Sequence, residues 1–205
     1  DFPAELNIPI PFSLVGNDVS NDKLVVMPGY WFLYNMYALA RNSGKYETRD
    51  KRAFKNQYLE YDYLAPDSIN EIFDALYLLK KAVGESQQTN NTRKRTGEQL
   101  VKLGEKLLEQ KANLEETEIL VTGFENTTRK VQLLKVTEAY HIFKELIVYY
   151  GITQLIDFIE QEKISSFDQL LQSTGKAERN QWINIGGQLT PKPAIKALIR
   201  GVHNG

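Results

Sequence analysis

From Leu6 to Leu14 every even position is apolar (Leu6, Ile8, Ile10, Phe12, Leu14), and Asn7, Pro9, Pro11 and Ser13 fill the odd ones. A period of two predicts an extended segment with one apolar face. Its two prolines cannot donate to a ladder, which puts it at an edge lying on something apolar rather than inside a sheet. Asn17 to Asp22 carries turn chemistry, and Lys23 to Met27 reads as a short strand. Pro28-Gly29 then opens a helix crowded with Tyr30, Trp31, Phe32, Tyr34 and Tyr37.

Beyond this block the apolar positions recur at steps of three and four. Asp67-Ser68-Ile69-Asn70-Glu71 behind Pro66 reads as a capping box, and Ile69, Ile72, Phe73, Leu76, Leu79 and Val83 carry the helix until Gly84 stops it. Residues 84–96 hold no large apolar side chain and read as a mobile loop. Thr96 with Gln99 caps a second amphipathic helix on Leu100, Leu103, Leu107, Leu108 and Leu114. Glu118 to Thr122 reads as a short strand. Thr128 to Tyr150 reads as a helix whose second half is apolar all round and therefore buried, with Gly151 as a break before Ile152 to Glu162. Ser166 with Gln169 caps a short helix, Trp182 to Leu189 is a bent connection, and Thr190-Pro191 starts a final helix using Ile195, Leu198 and Ile199. The sum is a mainly α fold, a helical bundle with a short extended or β lead-in. Residues 1–27 form the lead-in from a preceding module, and 28–205 the helical domain.

Composition narrows the functions. A chain of 205 residues that is 42% hydrophobic can bury a sizeable core. Its 25 Lys and Arg against 26 Asp and Glu create no global field toward nucleic acid or an anionic membrane, so neither partner is expected. The absence of Cys removes thiol nucleophiles, disulfides and thiolate metal sites together and fits a reducing, cytoplasmic setting. No signal peptide or apolar membrane span stands out.

No arrangement of known catalytic mechanics emerges. Glu138 and His141 have the Glu-x-x-His spacing of di-iron carboxylate bundles. Such a site needs a second copy of that spacing and two further Glu, and the other histidine of the chain is His203. His141 is thus expected on a solvated polar stripe. The same shortage of histidine works against a Ser-His-Asp triad or a zinc site, and no metal or cofactor is expected. Arg93-Lys94-Arg95 is a basic cluster without aromatic neighbours, which solubility is enough to explain.

The block after the aromatic helix offers more. Arg41, Lys45, Arg49 and Arg52 stand four, four and three apart, one basic stripe if the helix continues through Gly44, with Asn42 and Tyr46 beside it. Guanidinium forks suit phosphate or carboxylate, and aromatic faces suit a base or sugar ring. Arg41, Asn42, Tyr46, Arg49 and Arg52 are therefore the candidate ligand-binding residues, for a sugar nucleotide or phosphorylated sugar. The alternative is a buried aromatic anchor whose flanking charges solvate its exit.

The stretches Asn7-Ile8-Pro9-Ile10-Pro11-Phe12-Ser13-Leu14-Val15, Met27 to Asn42 (MPGYWFLYNMYALARN) and Trp182 to Leu189 (WINIGGQL) carry a resemblance. The chain resembles the C-terminal region of a family of large bacterial proteins whose N-terminal part holds hexapeptide repeats of the left-handed β-helix kind, loosely described as sugar or acyl transferases. The resemblance implies an upstream β-helix module of the same polypeptide as partner, and self-association, since such transferases are usually trimers. No catalytic residue follows from it. The expected function is a non-catalytic helical accessory or assembly domain of such a transferase, and the alternative is an anionic-sugar binding domain.

Overall fold

The structure, a computed structural model, describes residues 4–56, 59–88, 95–114, 116–174 and 181–204. Along them run β1 (Leu14–Asp18), β2 (Lys23–Met27), α1 (Tyr30–Tyr34), α2 (Met36–Arg49), α3 (Pro66–Ser86) and α4 (Gly97–Glu109). There follow β3 (Ile119–Val121), β4 (Lys130–Leu133), α5 (Val136–Gln161), α6 (Phe167–Thr174), β5 (Trp182–Ile185), β6 (Gln188–Pro191) and α7 (Lys192–Asn204). The expected mainly α helical bundle is corrected: this is a mixed α/β fold whose strands form two small sheets. The physical reason lies at one joint. Leu133 ends a strand in which Val131 is two residues back, yet it also stands three residues before Val136, so strand and helix together mimic a single helical period. Lys135, at φ 54, is where the backbone turns from one into the other.

The chain divides into two units, Asp1–Gly44 with Glu71–Lys144 and Lys45–Asn70 with Glu145–Gly205. Unit 1 holds the four-stranded sheet, in the order β1-β2-β4-β3. β2 runs antiparallel to β1 and parallel to β4, and β3 is antiparallel to β4. Leu24 and Val26 pair with Val131 and Leu133, and all four are buried, so one face of the sheet joins the core. Ile72, Ala75, Leu79 and Val83 of α3, Leu100 and Leu108 of α4, and Val136, Ala139, Tyr140 and Phe143 of α5 are buried at helical spacing in the same unit.

The edge segment behaves as its prolines require. Leu6 forms an isolated bridge with Glu125, and the Asn7 amide donates to the Phe124 carbonyl at 2.8 Å, before β1 begins at Leu14. Beneath it, Arg129 donates through Nε and NH2 to the buried Glu125 carboxylate and through NH1 to Asn17 Oδ1. Gly84 does not stop α3. The helix continues to Ser86, and the glycine is a contact point: a Cβ there would stand 2.1 Å from the Leu100 carbonyl oxygen of α4. Of the expected loop 84–96, Thr89 to Lys94 lie outside the described residues, as do two members of the Arg93–Arg95 cluster.

Unit 2 is built differently. β5 and β6 form a hairpin where the bent connection was expected, turning through Gly186 and Gly187, both at positive φ (60 and 89). The Gly187 amide donates to Asn184 Oδ1 at 2.8 Å, and the Gly187 carbonyl accepts the Glu60 amide at 2.7 Å, tying the turn to the segment before α3. The capping box expected at Asp67 to Glu71 does not form, and a single bond stands one turn earlier. Ala65 N–H donates to Ser68 Oγ at 2.9 Å, and Pro66 takes the first helical position. At α6 the box is where the sequence put it, with Gln169 N–H donating to Ser166 Oγ and Ser165 N–H to Gln169 Oε1. Gly151 makes no break, and α5 runs on to Gln161.

Burial in unit 2 is sparse. Among the described residues its buried apolar side chains are Ala65, Ile69 and Leu146. The apolar second half of α5 is not buried all round as expected: Val148, Tyr149, Ile152, Leu155 and Ile156 are exposed. Phe167 and Leu171 of α6, Ile185 of β5, and Leu198, Ile199 and Val202 of α7 are exposed as well.

Candidate functional site

The aromatic block is two helices, because Asn35 interrupts it at φ −144 and caps α1 through its amide on the Trp31 carbonyl. The Asn35 carbonyl then accepts the Ala38 amide at the start of α2. Both bonds are made by the Asn35 backbone, and the residue is half-buried at the joint. Nor does the block plug the interior. No residue of α1 is buried, and Tyr34 and Tyr37 are 57% and 74% exposed. Phe12 meets Phe32 edge-on at 4.8 Å, the contact that fixes α1 against the edge segment.

α2 passes through Gly44 unbroken, so Arg41, Lys45 and Arg49 do share one helix, while Arg52 lies beyond its end. In unit 1, Arg41 and Asn42 are exposed, and the Arg41 guanidinium sits 5.9 Å from the Tyr37 ring centroid, a cation–π arrangement. In unit 2, Tyr46 stacks on Tyr61 with centroids 4.7 Å apart, and Arg49 is exposed. Arg52 is engaged by Asp50 in a two-pronged pair: Nε to Oδ1 and NH2 to Oδ2, each at 2.8 Å. That fork holds the Asp50 carboxyl far below the ordinary aspartate range.

The histidine question closes on packing. His141 Nε2 lies 3.1 Å from the Leu108 carbonyl oxygen, which can only accept, so the proton is on Nε2 and the ring links α5 to α4. It is half-buried rather than on a solvated stripe. Beside it, Tyr140 donates to Glu109 Oε1 at 2.8 Å, and burial with that carboxylate pushes its hydroxyl pKa well above the usual value. The side chain of His203 lies outside the described residues. Among the described residues, no group of three or more His, Cys, Asp or Glu is placed to hold a metal ion, and no helix is long and apolar enough to cross a membrane.

Unit 1 also has a cavity of about 600 Å³ that the sequence did not announce. It opens where the parallel strands β2 and β4 end, at Met27 and Leu133, and where α5 begins, at Val136 and Thr137. Lys135 and Glu138, paired at 3.1 Å, stand on its wall with Gln132 and Thr117. The end of parallel strands is where open α/β sheets leave a crevice, and the unrecognised β4 was the missing signal. Its described wall offers hydrogen-bond partners and apolar contact.

The chain is 36% identical over 207 residues to an uncharacterised protein of Treponema pallidum (strain Nichols), in an alignment covering 100% of this chain. It spans 27% of the length of that curated relative, and so corresponds to a domain of a larger protein. No family model matches the chain, and no solved structure does.

Proposed function

We propose that this chain is a non-catalytic accessory domain through which a longer polypeptide assembles, with unit 2 as the docking half. The observation that supports this reading is the apolar surface of unit 2. Val148, Tyr149, Ile152, Leu155 and Ile156 sit at i, i+1, i+4, i+7 and i+8, one continuous strip of α5. Contiguous apolar patches of this kind mark contact surfaces, whereas scattered single residues do not. Burying a fully exposed side chain of this kind contributes roughly 1.5–3 kcal/mol, and these five, 37–61% exposed, keep part of that gain in reserve for a partner.

On the resemblance drawn from the sequence, the polypeptide assembled in this way carries a hexapeptide-repeat transferase module upstream. The relative's length is compatible with further modules. The test is the double substitution Ile152→Glu, Ile156→Glu in the longer polypeptide, read by light scattering after size exclusion. Loss of assembly with an unchanged circular-dichroism spectrum is expected. An assembly that persists at full strength would overturn the reading.

A further inference from the structure

The exposed apolar strips of unit 2 differ in the charge that borders them. Beside the α5 strip stand Glu145, one turn before Tyr149, and Glu160, one turn after Ile156, both exposed; Lys144, one turn before Val148, is engaged by Glu109, and no Lys or Arg occurs between residues 145 and 161. α7 is the reverse. Leu198, Ile199 and Val202 are exposed on one side, Lys192 and Lys196 lie along its edge next to Ile199, and the helix contains no Asp or Glu. A 13-residue helix exposed over nearly its whole length has little to stabilise it except a surface supplied from outside, because isolated helices of that length are marginal in water. One chain therefore carries both halves of a matched pair, an apolar strip with an acidic border and an apolar strip with a basic one.

We infer that the partner is a second copy of this chain, with α7 of one copy laid along the second half of α5 of the other, and the reverse contact made at the same time. This rests on the assembly reading above and names its occupant. Reciprocity closes the pair, as a twofold interface must, and every charged border then meets its opposite. Two copies of the same strip, α5 on α5 or α7 on α7, would instead set like charges side by side.

The test uses the whole chain in sedimentation velocity. The unmodified chain is expected to shift from one copy to two through the micromolar range. A chain carrying Lys192→Glu with Lys196→Glu, and a chain carrying Glu145→Lys with Glu160→Lys, should each dissociate at about tenfold higher concentration or more. Mixed in equal amounts they should recover the two-copy species, since each altered strip then faces its complement in both contacts. That recovery also shows both variants to be folded. An unmodified chain that stays monomeric, variants that pair as tightly as the original, or a mixture that fails to recover would each overturn the inference. None of those results touches the assembly reading, which stands or falls on the α5 double substitution in the longer polypeptide.

Discussion

Gly84 of α3 and Gly104 of α4 meet at a crossing too close for any side chain. A Cβ on Gly104 would stand 2.9 Å from the Gly84 nitrogen and 1.8 Å from the Lys80 carbonyl oxygen. Taken alone, alanine in a helix is favoured over glycine by about 1 kcal/mol. Here the obstructing atoms are backbone, which cannot rotate away, and overpacking of that kind costs about 3 kcal/mol. Gly104→Ala is therefore expected to lose about 2 kcal/mol net in urea denaturation, with an unchanged slope. An equal or higher midpoint would mean that the helices do not approach at this point.

The same pair shows what a sequence hides. Gly84 looks like a helix stop because glycine ends helices and also lets them touch, and a single chain gives no sign of which neighbour will arrive. The short helix at Ser166 and Gln169 was legible because its cap is local. The alternation expected from Leu6 to Leu14 was legible only as far as Ile10, where prolines restrict an edge segment whatever lies across from it; Leu14 is exposed and begins β1. β4 and the β5–β6 hairpin were not, because a four-residue strand takes its identity from its partner: Val131 opposite Leu24, Ile183 opposite Thr190. Of the candidate site, the continuity of α2 decides how Arg41, Lys45 and Arg49 relate, and Asp50 decides what Arg52 does. Neither follows from spacing.

The Glu125 carboxylate is buried, and Arg129, its largest influence, lowers its pKa below the ordinary glutamate value near 4.5. In the unfolded chain the group binds a proton more readily. The sign is therefore fixed: the stability this pair adds is fully present above about pH 4.5 and is lost as the pH falls through the lower folded value. Urea midpoints taken between pH 6 and pH 3 should fall less steeply for Glu125→Gln than for the unmodified chain, since the variant has no charge to titrate there. Parallel slopes would show that Arg129 does not hold this proton off.

The fork between Asp50 and Arg52 makes a second prediction at the end of α2. In the unmodified chain Asp50 should remain ionised at pH values where ordinary aspartates are already half protonated. With Arg52→Ala, the largest cause of that shift is gone, and the carboxyl carbon followed by NMR should titrate close to the ordinary range. Arg49→Ala, on an exposed residue of the same unit, should leave the Asp50 curve in place. If Arg52→Ala does not move it, the guanidinium is not what holds the Asp50 proton off.

One helix, α5, carries both halves of the last prediction. Phe143 is fully buried in unit 1, so Phe143→Ala should cost about 3–5 kcal/mol whatever the protein concentration. Ile156, 50% exposed in unit 2, has little packing to lose within its own chain. Ile156→Ala should thus change stability by less than about 0.5 kcal/mol when the chain is dilute. As concentration rises, association of the unmodified chain adds to its stability by mass action, and the variant, which binds less well, gains less. The gap between the two should therefore widen with concentration in thermal or urea unfolding. If it stays constant, the α5 strip contributes to no contact between copies, and if it is already large in dilute solution, Ile156 is packed within its own chain.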